Sequence, residues 1–387
     1  MADRGWWTTT RIALVAPSFH PRTGGVEEHT AHVASELQRR GHAVEVWTVD
    51  RGDGLRQAIV GGVVTRYLPC PQPARSMGGV LRFLRDAPRA IAAWRRAYRG
   101  LRPELLHVQC FGPNGLYSLG VHRLTGTPLI ISSHGETFAD DHGVFDQSRI
   151  MRSALHRALA AADAVTGCSL LVTEDLARRF GDSRAVVVPN GVDLEAAADS
   201  GWPASTAPTF VAVGRVEHVK GFDLLLEAFA TGDLAGRARL MIGGDGARLA
   251  ELRSRAAELG VADRVEFPGR LSRGQVVAAM ATATAVVVPS RAEAFGITIL
   301  EGWRSGRPVI ATVHGGPAEI VRDGIDGFLV DPLDGVALAR TMSRVLDDPA
   351  TAERVAAAGR RRADEFTWAR VVDGYEDIYR TVLSTGP

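Results

Sequence analysis

The chain alternates short apolar runs, rich in β-branched residues, with longer stretches whose apolar positions recur every three or four residues. In the first half, residues 12–16, 44–49, 63–68, 105–109, 129–132, 164–167 and 186–188 predict strands. Between them the spacing is helical: Val26, Thr30, Val33 and Leu37 share one face, and Gly41 stops that helix. Strand runs that are apolar throughout, rather than alternating, belong to strands covered on both faces, so a parallel sheet flanked by helices is expected. Residues 195–208 break the pattern with small side chains and two prolines, marking a linker. The alternation then resumes with strands predicted at 210–213, 240–243, 265–267, 285–288, 309–311 and 328–330. A last helical pattern, 366–383, carries Trp368, Val371, Val372, Tyr375, Ile378 and Tyr379 and needs a surface to cover. The 387 residues exceed what one core usually serves. The expected division is therefore an α/β domain over 1–200, a second over 201–365, and a terminal helix over 366–387.

Composition narrows the partners. With 45% hydrophobic and 23% charged residues the chain is an ordinary globular one, and a net charge of +1 gives no bulk attraction for nucleic acid. An anion must be held by a few placed groups. Cys70, Cys110 and Cys168 lie far apart, without metal or redox spacing, and the start lacks a signal-peptide pattern. No apolar run reaches membrane-spanning length. A soluble, cytoplasmic protein is the expectation. Lys220 is the single lysine, every other basic side chain in the Lys and Arg count being arginine, and that exception invites a chemical reason.

Three strand-to-helix loops carry the candidate chemistry. The first contains Gly24 and Gly25, which let a backbone approach a ligand closely and open a helix whose free N–H groups suit an anion. It lacks the third glycine of a dinucleotide fingerprint. The second runs from Gly214 to Gly221 and bears Arg215 and Lys220, a planar fork and a point charge able to meet one diphosphate. The third places Glu293 before a helix beginning near Phe295, Gly296 and Ile297, with Glu301 inside that helix. Its N-terminus favours an anion, Glu301 could accept from a sugar diol, and Glu293 could reach a second hydroxyl-bearing ring.

Two further segments are weaker. His134 follows a buried strand and could donate to a ligand or move a proton, while Glu136, Asp140, Asp141 and Asp146 form an acidic stretch suited to a cationic acceptor. Residues 75–102 form an arginine-rich helical stretch expected to break or kink at Pro88. Its apolar residues are expected to pack on the sheet, the competing reading being peripheral contact with an anionic membrane. No DxD, HExxH or His/Cys cluster occurs, so neither a metal nor a cofactor is expected.

Taken in order, the Gly24-Gly25-Val26 loop, Pro189-Asn190-Gly191-Val192-Asp193, Gly214-Arg215…Lys220-Gly221, Gly244-Asp245-Gly246, Glu293…Glu301 and Gly315-Gly316…Glu319-Ile320-Val321 resemble the retaining glycosyltransferases of family 4. The resemblance covers nearly the whole chain. It implies the GT-B architecture, two Rossmann-like domains facing across a cleft, and a nucleotide-sugar donor with no metal. By that resemblance Arg215, Lys220 and the N–H groups near Gly24, Gly25, Phe295, Gly296 and Ile297 would hold the diphosphate. Glu301 would hold the ribose, Glu293 the donor hexose, and the segment containing Arg270 the base. His134 would lie over the donor sugar, and the terminal helix would cross back onto the first domain. Pro317, directly after the paired glycines, departs from the family pattern. The implied reaction moves a hexose or N-acetylhexosamine, from UDP most readily, to a small soluble acceptor with retention. The alternatives are a membrane-lipid acceptor, a nucleotide-sugar epimerase of the same architecture, or a non-catalytic nucleotide-binding module.

Overall fold

A computed structural model describes residues 9–22, 24–72, 77–139, 143–200, 202 and 207–384. Its strands form two sheets. The first contains β1 (Arg11–Ala16), β2 (Ala43–Val49), β3 (Gln57–Val60), β4 (Val63–Leu68), β5 (Leu105–Gln109), β6 (Leu129–Ser133), β7 (Ala164–Gly167) and β8 (Val186–Val187), in the order β3-β4-β2-β1-β5-β6-β7-β8. The second contains β9 (Thr209–Val213), β10 (Arg239–Gly243), β11 (Val265–Gly269), β12 (Ala285–Val288), β13 (Val309–Thr312) and β14 (Phe328–Val330), in the order β11-β10-β9-β12-β13-β14.

All pairings are parallel except β3 with β4, where Ile59 sits opposite Val64 in an antiparallel hairpin. The apolar-run reading missed β3 because an edge strand half in solvent carries little apolar signal; Ile59 itself is exposed. In the parallel part of each sheet the strand order reverses at one point, between β1 and β5 and between β9 and β12. Ligands of open α/β sheets bind beyond the strand ends at such reversals. Three of the candidate loops follow β1, β9 and β12.

Both faces of the first sheet are covered. Leu106, Val108 and Ile131 pack with Trp94, Leu155 and Leu176 on one side. On the other, Leu14, Leu105 and Ile130 meet Val33 and Leu37 of the first helix, Gly25–Arg39, and also Val372 and Tyr375. Those last two belong to the terminal helix, Trp368–Ser384, which follows the second sheet in the chain yet packs on the first. Trp368, Val371, Tyr379 and Val382 are buried with them, each full burial being worth about 1.5–3 kcal/mol. Arg40 fixes the register of this packing through salt bridges of 2.6 Å to Asp373 and 2.9 Å to Glu376.

The arginine-rich segment forms one helix, Met77–Leu101, unbroken at Pro88. Pro88 is exposed, so the carbonyl it leaves without a helical partner can be hydrated. Arg75 lies outside the described residues. The expected packing on the sheet holds for Trp94 but not for Leu81, Leu84 and Ile91, which are exposed.

Candidate active site

The loops after β9 and β12 are clamped together. Gly221 follows a short turn, His218–Lys220, at φ +65°, and a Cβ there would stand 2.0 Å from the Pro289 carbonyl oxygen. Only glycine permits that contact. Arg291 donates its backbone N–H to the Val219 carbonyl at 2.8 Å, and its guanidinium grips both oxygens of Asp223 at 2.7 Å. The clamp brings Lys220 Nζ to 2.7 Å from Glu293 Oε2, an oxygen that also accepts from Ser290 Oγ at 3.0 Å. Glu293 is held on its other side by backbone bonds to His314 and Gly316, so the paired glycines close around it. Pro317 opens a short helix, Pro317–Ile320, a position where its missing N–H costs no helical bond. Arg215, half exposed on the same loop as Lys220, ion-pairs with Glu217 at 2.7 Å.

Behind Glu293, buried Phe295 and Gly296 lead into the helix Ile297–Arg304. The position a Cβ would take on Gly25 lies 3.7 Å from Ile297 Cδ1. The opening residues of two helices, one from each sheet, therefore meet across the cleft, with Gly24 just outside. Two sets of free N–H groups share this seam. Glu301 is the fifth residue of the second helix, and its carboxyl group accepts no hydrogen bond among the described residues. Burial pushes its pKa up to about 7, aided by Glu28 and opposed by Arg304 and Arg273.

The first sheet contributes the loop after β6. Gly135 has φ +89°, and a Cβ there would lie 2.4 Å from Ala294 Cβ, so this loop presses directly on the one carrying Glu293. His134 is thereby fixed at the domain seam. Its Nε2 lies 2.9 Å from Gln109 Oε1, which can only accept, placing the ring proton on Nε2. Burial lowers its pKa to about 4, so the ring is neutral at pH 7. The His29 ring meets it edge-on at 4.5 Å, and His29 Nε2 lies 3.1 Å from the Tyr375 hydroxyl on the terminal helix. His107, at the next strand, is bonded to Tyr379 and Ser132, each at 2.7 Å. A buried polar chain thus runs from the terminal helix to the cleft.

Of the acidic stretch, Glu136 and Asp146 are already engaged by other groups. Glu136 turns inward and accepts from Phe111 N–H at 2.9 Å, His134 N–H at 2.7 Å and Ser133 Oγ at 2.9 Å; it shapes the loop. Asp146 is neutralised by Arg179, while Asp140 and Asp141 lie outside the described residues. Arg270 is exposed just past the end of β11, and no hydrogen bond or salt bridge joins it to the other candidates among the described residues.

Sequence reading did not assign roles to several residues that join the two halves. Arg273 spans the seam, 2.9 Å from Asp193 and 3.7 Å from Glu28. Glu319 accepts the N–H groups of Leu170 and Leu171 at 2.8 and 2.9 Å, capping the helix Leu170–Phe180 from the opposite domain. Gln109 orients His134. None has a local signal, because each partner lies far away in sequence.

Residues 23–196 match the family described as Glycosyltransferase Family 4, and residues 197–362 match Glycosyl transferases group 1. The chain is a family 4-like glycosyltransferase with the GT-B fold. This glycosyltransferase is 28% identical to the D-inositol 3-phosphate glycosyltransferase 1 of Catenulispora acidiphila, over 97% of its own length and 96% of the relative's. It is 29% identical to the D-inositol 3-phosphate glycosyltransferase of Acidothermus cellulolyticus, over 98% and 92%. Its fold is similar to that of sucrose-phosphate synthase from Thermosynechococcus elongatus, with a TM-score of 0.81, 22% identity and coverage of 96% and 99%. It is also similar to Anabaena Alr3699/HepE in complex with UDP-glucose, with a TM-score of 0.77, 19% identity and coverage of 96% and 99%. The enzyme transfers a glycosyl group from a nucleotide-sugar donor. Among the described residues no helix is long and apolar enough to cross a membrane.

Proposed function

We propose that this glycosyltransferase moves a hexosyl or N-acetylhexosaminyl group from a UDP-sugar to a small soluble polyol, with retention and without a metal. The observation that carries the reading is the Lys220–Glu293 pair at the strand-order reversal, beside two helix starts and an unpartnered Glu301. A diphosphate entering there finds the Lys220 ammonium, the Arg215 guanidinium and N–H groups near Gly24, Gly25 and Ile297. Those groups match the charge that grows on the departing diphosphate, and positioned charges in a cleft are a large source of rate. Glu301 takes the ribose diol, and Glu293 addresses the donor sugar once the diphosphate competes for Lys220. Arg270 marks where the base lies.

His134 approaches from the other domain as a neutral group, with its Nε2 proton committed to Gln109. It serves the donor sugar by orientation rather than by positive charge. The closure contacts at Gly135–Ala294, Arg273 and Glu319 bring donor and acceptor together and exclude water. The acceptor in the names of those relatives makes D-inositol 3-phosphate the first candidate, the match spanning both domains of this chain.

The test is a matrix of UDP-glucose, UDP-N-acetylglucosamine and GDP-mannose against inositol 3-phosphate, free inositol and a lipid acceptor, with and without EDTA. Acceptor-dependent release of UDP, unaffected by EDTA and giving an α-anomeric product by NMR, is the expected result. Conversion of the donor sugar without any acceptor would replace the proposal by an epimerase. A strict metal requirement or an inverted product would overturn that part of it.

A further inference from the structure

The helix Met77–Leu101 has two apolar faces, and the core uses one. Gly79, Ala90, Trp94 and Ala97 are buried against the first domain, with the Trp94 ring stacked on Tyr117 at 5.4 Å. The second face is exposed: Met77 by 77%, Leu81 by 61%, Leu84 by 60% and Ile91 by 46%, with Val80 beside them. At about 100° per residue these five form one stripe roughly 100° wide, turned well over 90° from the buried line. Arg82, Arg85, Arg89 and Arg96 line one flank of the stripe, and Arg95 and Arg99 continue its line toward the C-terminal end. Asp86 is the helix's only acid. It pairs with Arg85 and, at 4.0 Å, with Arg89, and it also feels the charge of Arg82, whereas Arg95, Arg96 and Arg99 form no salt bridge among the described residues. In a chain of net charge +1 this helix carries six arginines against one acid.

We propose that this helix lies flat on an anionic bilayer. An apolar stripe flanked by arginines meets both demands of the lipid interface: the apolar side chains enter the acyl boundary, and the long arginine stems lie along it with their guanidinium groups on lipid phosphates. Helix packing alone leaves this stripe without a function, since Trp94 and its neighbours already anchor the helix to the sheet. The inference is independent of which acceptor the enzyme uses.

The experiment is sedimentation of the full chain with vesicles of phosphatidylcholine alone or with phosphatidylglycerol added. Sedimentation with the anionic vesicles at low salt, weakened at high salt and absent with the neutral ones, is the expected result. The double variant Leu81→Asp, Leu84→Asp, and separately the triple variant Arg82→Glu, Arg85→Glu, Arg89→Glu, should each bind roughly tenfold more weakly. UDP affinity and melting temperature, measured on the same samples, should stay unchanged and show that the variants fold. Failure of the parent chain to bind anionic vesicles, or equal binding by parent and variants, overturns the proposal. A dimer of the parent chain that dissociates in the Leu81→Asp, Leu84→Asp variant would assign the stripe to a second copy and overturn it as well.

Discussion

Lys220 Nζ stands 2.7 Å from Glu293 Oε2, so the only lysine of the chain neutralises the first acid of the Glu293…Glu301 pair. The two residues are 73 positions apart and come together because Gly221 and Arg291 clamp their loops. Each member of the pair has a separable consequence.

Lys220→Ala should weaken UDP binding by roughly 10- to 100-fold, the effect of about 1.5–3 kcal/mol for a hydrogen bond to a charged group, while leaving uridine binding nearly unchanged. Calorimetry with both ligands checks this, and equal losses would remove the diphosphate role. Glu293→Gln should behave oppositely, with UDP affinity equal to or above the parent's, because Lys220 no longer has a competing carboxylate, and turnover of the UDP-sugar sharply reduced.

Glu301 predicts proton-linked donor binding. Its pKa in the fold, about 7, lies above the ordinary 4.5, so between those values the folded protein holds a proton that the unfolded chain has released. Stability therefore falls as pH rises through this window, and Glu301→Gln should raise the melting temperature at pH 8. A ribose diol donates to the ionised form. UDP-glucose, whose diphosphate does not titrate near neutrality, should accordingly release protons on binding at pH 6–7 and bind more weakly as pH falls below about 7. Calorimetry in buffers of different ionisation enthalpy reads this directly, and pH-independent affinity in the parent would contradict the assignment.

Gln109 is a positioning residue for His134, since its Oε1 accepts the Nε2 proton at 2.9 Å. Gln109→Leu should lower kcat by roughly tenfold with KM for the donor nearly constant, the pattern of a group that matters most in the transition state. Gln109→Glu, which keeps an acceptor, should recover part of the loss. A change in KM alone would show that the amide only supports binding.

Glu319 reaches across the cleft to the N–H groups of Leu170 and Leu171. Removing the carboxylate leaves the Leu170 and Leu171 N–H groups without their cross-domain acceptor, Ser169 still capping Val172, and loosens closure, so Glu319→Ala should raise KM and increase the radius of gyration of the donor-bound enzyme in solution scattering. Unchanged scattering with unchanged KM would reduce this contact to a local cap.

By itself the sequence determined the two α/β units, nearly every strand, the terminal helix and the loops that border the cleft. Continuous apolar runs, helical spacing and paired glycines are local patterns written by burial and backbone geometry, which neighbours in the chain already specify. It also singled out Lys220, Glu293, Glu301 and His134 as candidate site residues. Only the tertiary structure decided how they are engaged. The order of strands brings β9 beside β12, which lets Lys220 find Glu293; closure of the two sheets sets Gly135 on Ala294 and Glu319 on a distant helix start. Glu136 shows the same limit, an acid that reads as exposed along the chain and is consumed by three internal donors in the fold. Edge strand β3, the exposure of Leu81, Leu84 and Ile91 in place of the expected packing on the sheet, and the bridging role of Arg273 share one reason: each depends on what the rest of the chain covers or leaves open, and a linear pattern records spacing, not neighbours.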